Sequence, residues 1–432
     1  MEIIKNFLWS IATILLVVSG FYFSFKLKFK HLNLIKIFKS LKGDKDKGGI
    51  SPFQTLMVSL GGCIGVGSLA GIGLAIYKGG VGTIFWILVS CLLIAPNSIV
   101  ENSLAVIYHE KTPNGYIGGP AYYIKKGLGF KKTAFLYALV VILAYLFGFL
   151  TIQSNTIAKS ITIFYKIPSL LIGLVIGILS FIVIKKGLKG IAKFSSAFVP
   201  FMAFVYLFVS LFIIFKNINL IPSILSNIVR EAFNVSSLKY GILSSIIIGL
   251  ERGIFASEVG TGTSAIASGS SNLSSPIKQG LVGVIGVYFT TFIICLSTAL
   301  IILTSNYNPS MYTDVNGIEI TLNSLIYHLG GLGNIILYFS LIAFSFSTII
   351  SGYFYIETNL KFIFHKLSHE VLLFLKIFTC FLLVIAPIVN PNIIWDLCDL
   401  LVAILIIINV ISLLNLKKDV IMELEMDEVK DE

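Results

Sequence analysis

Five glycines fall within eleven residues of an otherwise apolar stretch, GGCIGVGSLAG at positions 61–71. Glycine destabilises a helix by about 1 kcal/mol relative to alanine, so this stretch either packs closely against another helix or is not helical at its middle. A break at 65–67 would free backbone N–H and C=O groups, each costing several kcal/mol if unpaired in hydrocarbon. Amides at the start of a half-helix suit a carboxylate, and carbonyls at the end of one suit a cation. A break would therefore form a binding site for ions or a zwitterion.

A second glycine-rich stretch, GLERGIFASEVGTGTSAIASG at 249–269, helps to choose between these alternatives. Taken alone, Gly61/Gly65 and Gly67/Gly71 fit the GxxxG spacing of close helix packing. A dinucleotide-binding loop is a weaker interpretation, since no strand precedes the glycines and no acidic ribose partner follows them. Two interrupted segments in one chain favour paired broken helices around a central site.

Ionisable residues also lie inside the apolar segments, where a charge costs about 2.5–3.5 kcal/mol even on the lenient insertion scale. Glu251, Arg252 and Glu258 fall in the second glycine-rich stretch, and Glu101 lies in an earlier segment. We expect Arg252 to pair with one of these glutamates. Glu258 has further possible roles: orienting the unwound backbone, proton coupling, or contact with a substrate amine.

The last apolar segment begins with two acids beside a tryptophan. Trp395 is expected to anchor at the lipid headgroups, with Asp396 at the same interface. Asp399 is expected to be paired deeper inside the bundle.

The elements that position these groups are predicted to be membrane-spanning helices. Of the 432 residues, 56% are hydrophobic and 12% charged, whereas soluble domains average about 25% charged residues. Apolar runs of roughly 20 residues recur, and they are continuous rather than alternating, which disfavours strands. We predict an all-α polytopic membrane protein of about eleven spans. Their approximate limits are 8–29, 54–77, 81–107, 134–158, 168–184, 191–215, 241–266, 280–304, 330–356, 371–388 and 393–415.

The lysines indicate topology rather than nucleic-acid binding, because they fall in loops between apolar segments instead of forming a patch beside aromatic residues. Eight of them lie between Lys26 and Lys47, and other clusters follow the third and fifth spans. The lysine-rich side is expected to be cytoplasmic. This gives an external N-terminus and a cytoplasmic C-terminus. We also expect the protein to be an integral protein of the plasma membrane, of a bacterium or archaeon.

The two interrupted spans are the second and the seventh, so they cross the membrane in opposite directions. This spacing predicts an inverted five-plus-five repeat with two broken helices. Residues 1–50 would form an extra N-terminal helix and a basic cytoplasmic linker, 51–215 the first repeat, 216–416 the second, and 417–432 an acidic, solvated tail without a specific role.

Several classes of function are disfavoured by missing motifs. The sequence has no GxxxxGK[ST], HExxH or CxxC motif, so we expect neither an enzyme nor a cofactor, and any transport would be driven by an ion gradient and not by nucleotide hydrolysis. The five cysteines lie in apolar segments and are expected to act as small hydrophobic residues. No nucleic-acid partner or obligate protein partner is expected.

The stretch FQTLMVSLGGCIGVGSLAGIGLAI resembles the first core helix of the alanine/glycine:cation symporter family, the sodium:alanine symporters. Similar stretches cover almost the whole chain in the family's order: IVENSLAVIYHE, YIGGPAYYIKKGLG, IQSNTIA, RGIFASEVGTGTSAIA, IKQGLVGVIGVY, SFSTIISGYFYIE and WDLCDLLVAILIIINVISLL. The resemblance implies the fold shared with the bacterial leucine transporter. It also implies sodium-coupled symport of a small neutral amino acid by alternating access.

The resemblance implies substrate ligands near the first break. Backbone amides near Val66 and Gly67 would hold the substrate carboxylate, and Gln153 would face the substrate. From its type alone, Gln153 could instead form a hydrogen bond between helices.

The resemblance implies sodium ligands as well. These are the carbonyls of Gly61 and Ile64 and the hydroxyls of Ser347 and Thr348. An all-oxygen, mostly neutral set suits a hard monovalent cation that must also leave. The two hydroxyls could instead bond to carbonyls of their own helix.

Three positions depart from the family pattern. Ser68 and Ser257 stand where the family usually has Asn, and Gly352 stands where it usually has Trp. Loss of the indole would enlarge the pocket for a substrate larger than alanine, and loss of two amides would alter the number of coupled cations. Proton-coupled transport, a sensor or degenerate homologue without transport, and an ion channel remain alternatives.

Overall fold

The computed structural model describes residues 2–42, 49–113, 115–234, 242–312, 317–364 and 367–431. Part of the basic linker, 43–48, and the predicted start of the seventh span at 241 lie outside these residues. The described chain is mainly helical. Its one short hairpin pairs β1, Glu110–Thr112, with β2, Gly115–Ile117, in antiparallel register.

Twenty α-helices follow one another along the described chain. The first ten are α1 Glu2–Lys26, α2 Leu34–Lys39, α3 Pro52–Cys63, α4 Ile72–Gly79, α5 Thr83–Ile107, α6 Pro120–Gly127, α7 Lys131–Leu143, α8 Leu150–Phe164, α9 Ser169–Ile184 and α10 Gly187–Lys216. The other ten are α11 Ile221–Ala232, α12 Ile242–Ser257, α13 Thr263–Ser268, α14 Pro276–Tyr288, α15 Leu296–Leu303, α16 Gly317–Leu329, α17 Gly331–Ile363, α18 His369–Ile385, α19 Pro391–Asn415 and α20 Lys417–Asp431.

Eight helical segments of the described chain are long and apolar enough to cross a membrane. They are Ile4–Lys26, Thr83–Ile107, Lys131–Thr162, Gly187–Lys216, Pro276–Leu303, Gly331–Ile363, His369–Ile388 and Pro391–Asn415. A bent pair, Pro52–Cys63 with Gly67–Gly79, adds a ninth. The predicted span at 168–184 corresponds to the shorter apolar helix α9, and the one at 241–266 to the separate helices α12 and α13. The protein is therefore a helical membrane protein, while the count of eleven and the inverted repeat stay predictions.

The predicted break in the second span is confirmed. Helix α3 begins with a capping box between Ser51 and Gln54 and ends at Cys63. Ile64 leaves the helical conformation, with φ −83° and ψ 84°. A π-helical turn over Gly67–Gly71 then leads into α4, and the two halves meet at 56°.

The second glycine-rich stretch is also interrupted. Residues 258–262 separate α12 from α13. Gly260 and Gly262 both have φ of 81°, a conformation that favours glycine. Glu258, with φ of 54°, adopts a similar conformation despite having a side chain.

The acidic tail is helical and docked, so it is more than a solvated end. Val420 and Leu424 of α20 are 1% and 2% exposed. The Tyr108 hydroxyl donates a 2.7 Å hydrogen bond to Asp419, and Ser275 donates one of 2.9 Å to Asp427. The buried apolar side chains explain why the charged tail packs onto the ends of α5 and α14.

Helix α16 packs across the far side of the first break, against α4 and α17. The Thr321 hydroxyl donates to the carbonyl of Leu69 at 3.0 Å. A Cβ on Gly317 would lie 1.9 Å from the Ala70 carbonyl oxygen. Only glycine permits this approach, which covers the break from one side.

Candidate functional site

The first break brings the four predicted sodium ligands together. The Thr348 Oγ1 lies 3.1 Å from the carbonyl oxygen of Gly61 and 3.5 Å from that of Ile64. Ser347 Oγ lies 3.2 Å from the same Gly61 oxygen, and the Gly62 carbonyl lies 3.2 Å from Thr348 Oγ1. This donor set contains carbonyls and hydroxyls and no carboxylate, which suits a sodium ion.

The same hydroxyls also bond within their own helix, as the alternative interpretation expects. Ser347 and Thr348 lie 2.8 and 3.2 Å from the Phe344 carbonyl oxygen. Each hydroxyl therefore faces both α17 and the break. An arriving cation would compete for the carbonyl oxygens that these hydroxyls now share.

Gly65 lies between the carbonyl cluster and the predicted substrate amide. A Cβ at this position would be 2.7 Å from Thr348 Oγ1 and 3.1 Å from Gln153 Nε2. Side chains from α17 and α8 thus close on the break from two sides. The sequence contains glycine here because no larger residue fits without displacing one of them.

Gln153 contacts the break directly. Its Oε1 accepts a 3.2 Å hydrogen bond from the Val66 amide, in buried surroundings. This is an interhelical bond, and it is made to the amide expected to hold a substrate carboxylate. The Gln153 side-chain carbonyl thus lies where an oxygen of that carboxylate would bind.

A narrow cavity adjoins the break. Its lining combines backbone from the break, aromatic rings and two polar side chains: Gly62, Cys63, Gly65, Gly67, Phe149, Ile152, Gln153, Phe255, Glu258 and Trp395. The ring of Phe255 lies 5.8 Å from those of both Phe149 and Trp395. Such a mixture can bind a small amphipathic molecule.

Trp395, which is expected to anchor at the headgroups, lines this cavity. Its indole is half-buried against Phe255 and faces the cavity. Asp396, on the adjacent position, forms a 2.6 Å ion pair with Lys5 of α1. The extra N-terminal helix supplies this partner, which the pattern of the last span could not indicate.

Glu258 reaches the cavity from the second break. Its carboxylate accepts hydrogen bonds from the Thr263 hydroxyl at 2.7 Å and the Tyr145 hydroxyl at 3.1 Å. Among the described residues, no ion pair joins Arg252 to Glu258 or Glu101. An ion pair with Arg252 therefore does not stabilise the carboxylates of Glu258 and Glu101. Hydroxyl and amide donors surround these carboxylates instead.

Glu101 holds the second break from α5. Its carboxylate accepts from the Gly260 amide at 3.2 Å, from Ser264 at 3.0 Å and from Asn409 at 3.1 Å. Asn409 also donates to the Gly260 carbonyl at 2.9 Å. Backbone groups freed by the break are thus satisfied by side chains, as a membrane interior requires.

Sequence reasoning missed three of the side chains that hold this break. Tyr137 donates to the Thr261 carbonyl at 2.6 Å, Tyr145 donates to Glu258, and Asn409 bonds as described above. Asn409 gave a usable signal, since it is a single amide within the apolar run AILIIINVI. No signal in the sequence distinguished the two tyrosines, because tyrosine is common in apolar helices.

The three departures from the family pattern lie outside the cavity lining. Ser68 accepts from Thr298 through its carbonyl at 3.1 Å, and Ser257 donates to a carbonyl of its own helix at 3.3 Å. A Cβ on Gly352 would lie 2.4 Å from a methyl carbon of Leu150 and 2.7 Å from the ring of Tyr145. These side chains fill the space that an indole would need, so Gly352 does not enlarge the cavity.

Comparison of sequences identifies relatives of the chain. It is 34% identical over 424 residues to the probable sodium/glutamine symporter GlnT of Bacillus subtilis, covering 96% of this chain and 87% of that one. It is 31% identical over 403 residues to the sodium/proton-dependent alanine carrier protein of a Bacillus species, strain PS3, covering 89% of each.

Solved structures share the fold at low identity. MhsT in complex with L-phenylalanine aligns with a TM-score of 0.62 at 12% identity, over 85% of this chain and 89% of that one. A manganese transporter mutant of Eremococcus coleocola aligns with a TM-score of 0.58 at 15% identity, over 84% and 78%. These likenesses show a fold of the leucine-transporter type.

The whole chain also matches one family. The model of the sodium:alanine symporter family matches residues 1–430, in agreement with the relatives and with the helical membrane fold. The members of this family are transporters rather than enzymes. The chain belongs to the sodium:alanine symporter family.

Proposed function

We propose that the protein is a secondary active transporter that imports a small neutral amino acid together with sodium, by alternating access. One observation carries the proposal: residues 61–66 present a neutral oxygen cluster and, next to it, the Val66 amide, which is bonded to Gln153, a side chain that lines the cavity. Cation and substrate would thus bind to consecutive residues of one helix break.

The proposed sodium and substrate sites are coupled because they lie next to each other. Sodium at the Gly61 and Ile64 carbonyls would fix the backbone that presents the Val66 amide. Substrate binding at that amide would in turn favour the conformation that binds sodium, since coupling between sites is reciprocal. No covalent chemistry is needed.

The substrate is proposed to be a small zwitterion. Its carboxylate would take over the Val66 amide from Gln153. The narrow cavity between Phe149, Phe255 and Trp395 favours a side chain of alanine or glycine size. The relative named as a glutamine symporter makes glutamine the first larger candidate to test.

Proton coupling is the second candidate, favoured by one observation. The Glu258 carboxylate lines the cavity, so a proton there would lie beside the substrate. One relative is named a sodium/proton-dependent alanine carrier. The same carboxylate would alternatively contact the substrate ammonium.

The test is uptake of labelled alanine, glycine, glutamine and phenylalanine into proteoliposomes, with an inward sodium gradient or with a proton gradient alone. We expect sodium-dependent accumulation of alanine or glycine. Accumulation driven only by protons and abolished in Glu258→Gln would favour the second candidate. Exchange of labelled for unlabelled substrate separates a carrier from a channel, and binding without flux would identify a sensor and overturn both proposals.

A further inference from the structure

The segment of residues 26–42, here called the interfacial segment, has one face packed on the protein. Leu27, His31 and Ile37 are 1–3% exposed. The Tyr288 hydroxyl of α14 donates to the His31 carbonyl at 2.7 Å. Burial lowers the pKa of His31 to about 4, so its imidazole is neutral at pH 7. The positive charge of the segment therefore comes from its lysines.

The opposite face is both apolar and basic. Its exposed apolar side chains in α2 are Leu34, Ile35 and Phe38, which are 54–70% exposed. Exposed lysines lie beside them at positions 36, 39 and 42. No acidic residue occurs anywhere between 26 and 42. Exposed apolar groups flanked by cations are typical of a helix that lies in the headgroup region of a bilayer.

The position of the segment agrees with this pattern. It directly follows α1, which is long and apolar enough to span the membrane and ends at Lys26. The packed face attaches the segment to α14, so its exposed face is held at a constant depth relative to the end of α1. Lysine stems can lie along apolar surface there while their ammonium groups reach the phosphates.

We propose that the interfacial segment is a binding surface for anionic phospholipid headgroups. Its exposed apolar side chains would lie in the acyl boundary, and its lysines would contact lipid phosphates. The proposal depends on the membrane location of the chain and not on which solute is transported.

The acidic helix α20 shows that this segment already binds anionic oxygens. Glu428 pairs with Lys28 at 2.8 Å and with Lys30 at 3.1 Å. A lipid phosphate offers the same kind of oxygen to the same lysines. Glu428 is thus expected to compete with anionic lipid for one end of the segment.

The test uses the full chain reconstituted in phosphatidylcholine vesicles that contain a photoactivatable phosphatidylglycerol or phosphatidylcholine probe, with crosslinks mapped by peptide mass spectrometry. We expect the anionic probe to label the interfacial segment about threefold more than the neutral one. The triple variant Lys36→Gln, Lys39→Gln, Lys42→Gln should remove this preference. Its matched control, Lys185→Gln, Lys186→Gln, Lys189→Gln, replaces three exposed lysines at the junction of α9 and α10 and should retain it.

Glu428→Gln provides a test in the opposite direction, because removal of a competing carboxylate should raise anionic labelling about twofold. Equal labelling by the two probes would overturn the proposal, as would unchanged labelling in the triple variant. Displacement of the probe by millimolar inorganic phosphate would also overturn it, since it would indicate a simple anion site and not a lipid surface.

Discussion

Gly65, which has no side chain, lies between the proposed cation site and the proposed substrate site. The residue separates the carbonyl cluster of 61–64 from the Val66 amide, and the hydroxyl of Thr348 and the amide of Gln153 close in on it. The proposed cation and substrate groups can approach each other only because position 65 has no Cβ.

Gly65→Ala is therefore expected to reduce sodium-driven uptake about tenfold or more, because the new methyl group must displace Thr348 or Gln153. Gly71→Ala is the matched control. It lies in the same broken span, and a Cβ there would meet no heavy atom of another described segment within 4 Å. Uptake into proteoliposomes measures both, and equal loss in the two variants would mean that the effect is general to the span.

Thr348→Val tests the cation site without a change of shape. Loss of the hydroxyl oxygen should raise the sodium concentration for half-maximal uptake about tenfold. Substrate affinity at saturating sodium should change much less. Thr358→Val is the control, since the Thr358 hydroxyl on the same helix bonds to a carbonyl of that helix at 2.9 Å. An unchanged sodium response in Thr348→Val would remove Thr348 from the site.

Among the elements, α16 packs directly on the second half of the broken span. It lies between the eighth and ninth predicted spans, on the side expected to be external. Its first residue, Gly317, contacts the backbone of the second half of the broken span. We infer that this contact closes the path from outside to the cavity.

Gly317→Ala should keep this path open. The new Cβ would lie 1.9 Å from the carbonyl oxygen of Ala70, so α16 could no longer pack this closely on the broken span. Cys63 lines the cavity and reports access. In a chain whose other cysteines are replaced, a membrane-impermeant thiol reagent added outside should modify Cys63 about tenfold faster in the variant. Gly331→Ala should leave the rate unchanged, since a Cβ there would have no neighbour within 4 Å in the described part of the chain beyond its own helix. Slower or equal modification in Gly317→Ala would contradict the assigned role of α16.

For the whole molecule, the lysine distribution predicts an external N-terminus and a cytoplasmic C-terminus. Cysteines introduced singly into a cysteine-free chain can test this orientation. Ser223→Cys, in exposed α11, should react with an impermeant maleimide in intact cells. Lys132→Cys, at an exposed position in the first turn of α7, should react only after permeabilisation. The reverse pattern would invert the topology and with it the direction assigned to transport.

The elements could be predicted because their signals are local. Apolar length defines a span, and glycine clusters weaken a helix wherever it runs. The limits predicted for the second span, 54–77, lie close to the observed Pro52–Gly79. Short or polar helices such as α16 and α20 escaped prediction, because tertiary contacts stabilise them and not apolar length.

The sequence alone determined that the chain is a membrane protein with two interrupted helices. The length of an apolar run indicates whether a segment can span a bilayer, and a glycine cluster weakens the helix in which it lies, so both signals come from neighbouring residues. Only the tertiary structure decided which groups meet across helices. Asn409 and Glu101 are 308 positions apart, and no local pattern links them. Leu150 and Tyr145 fill the space beside Gly352, and Trp395 faces the cavity. Such contacts depend on how side chains from distant segments pack closely together in one volume. The order of the residues does not show this packing directly.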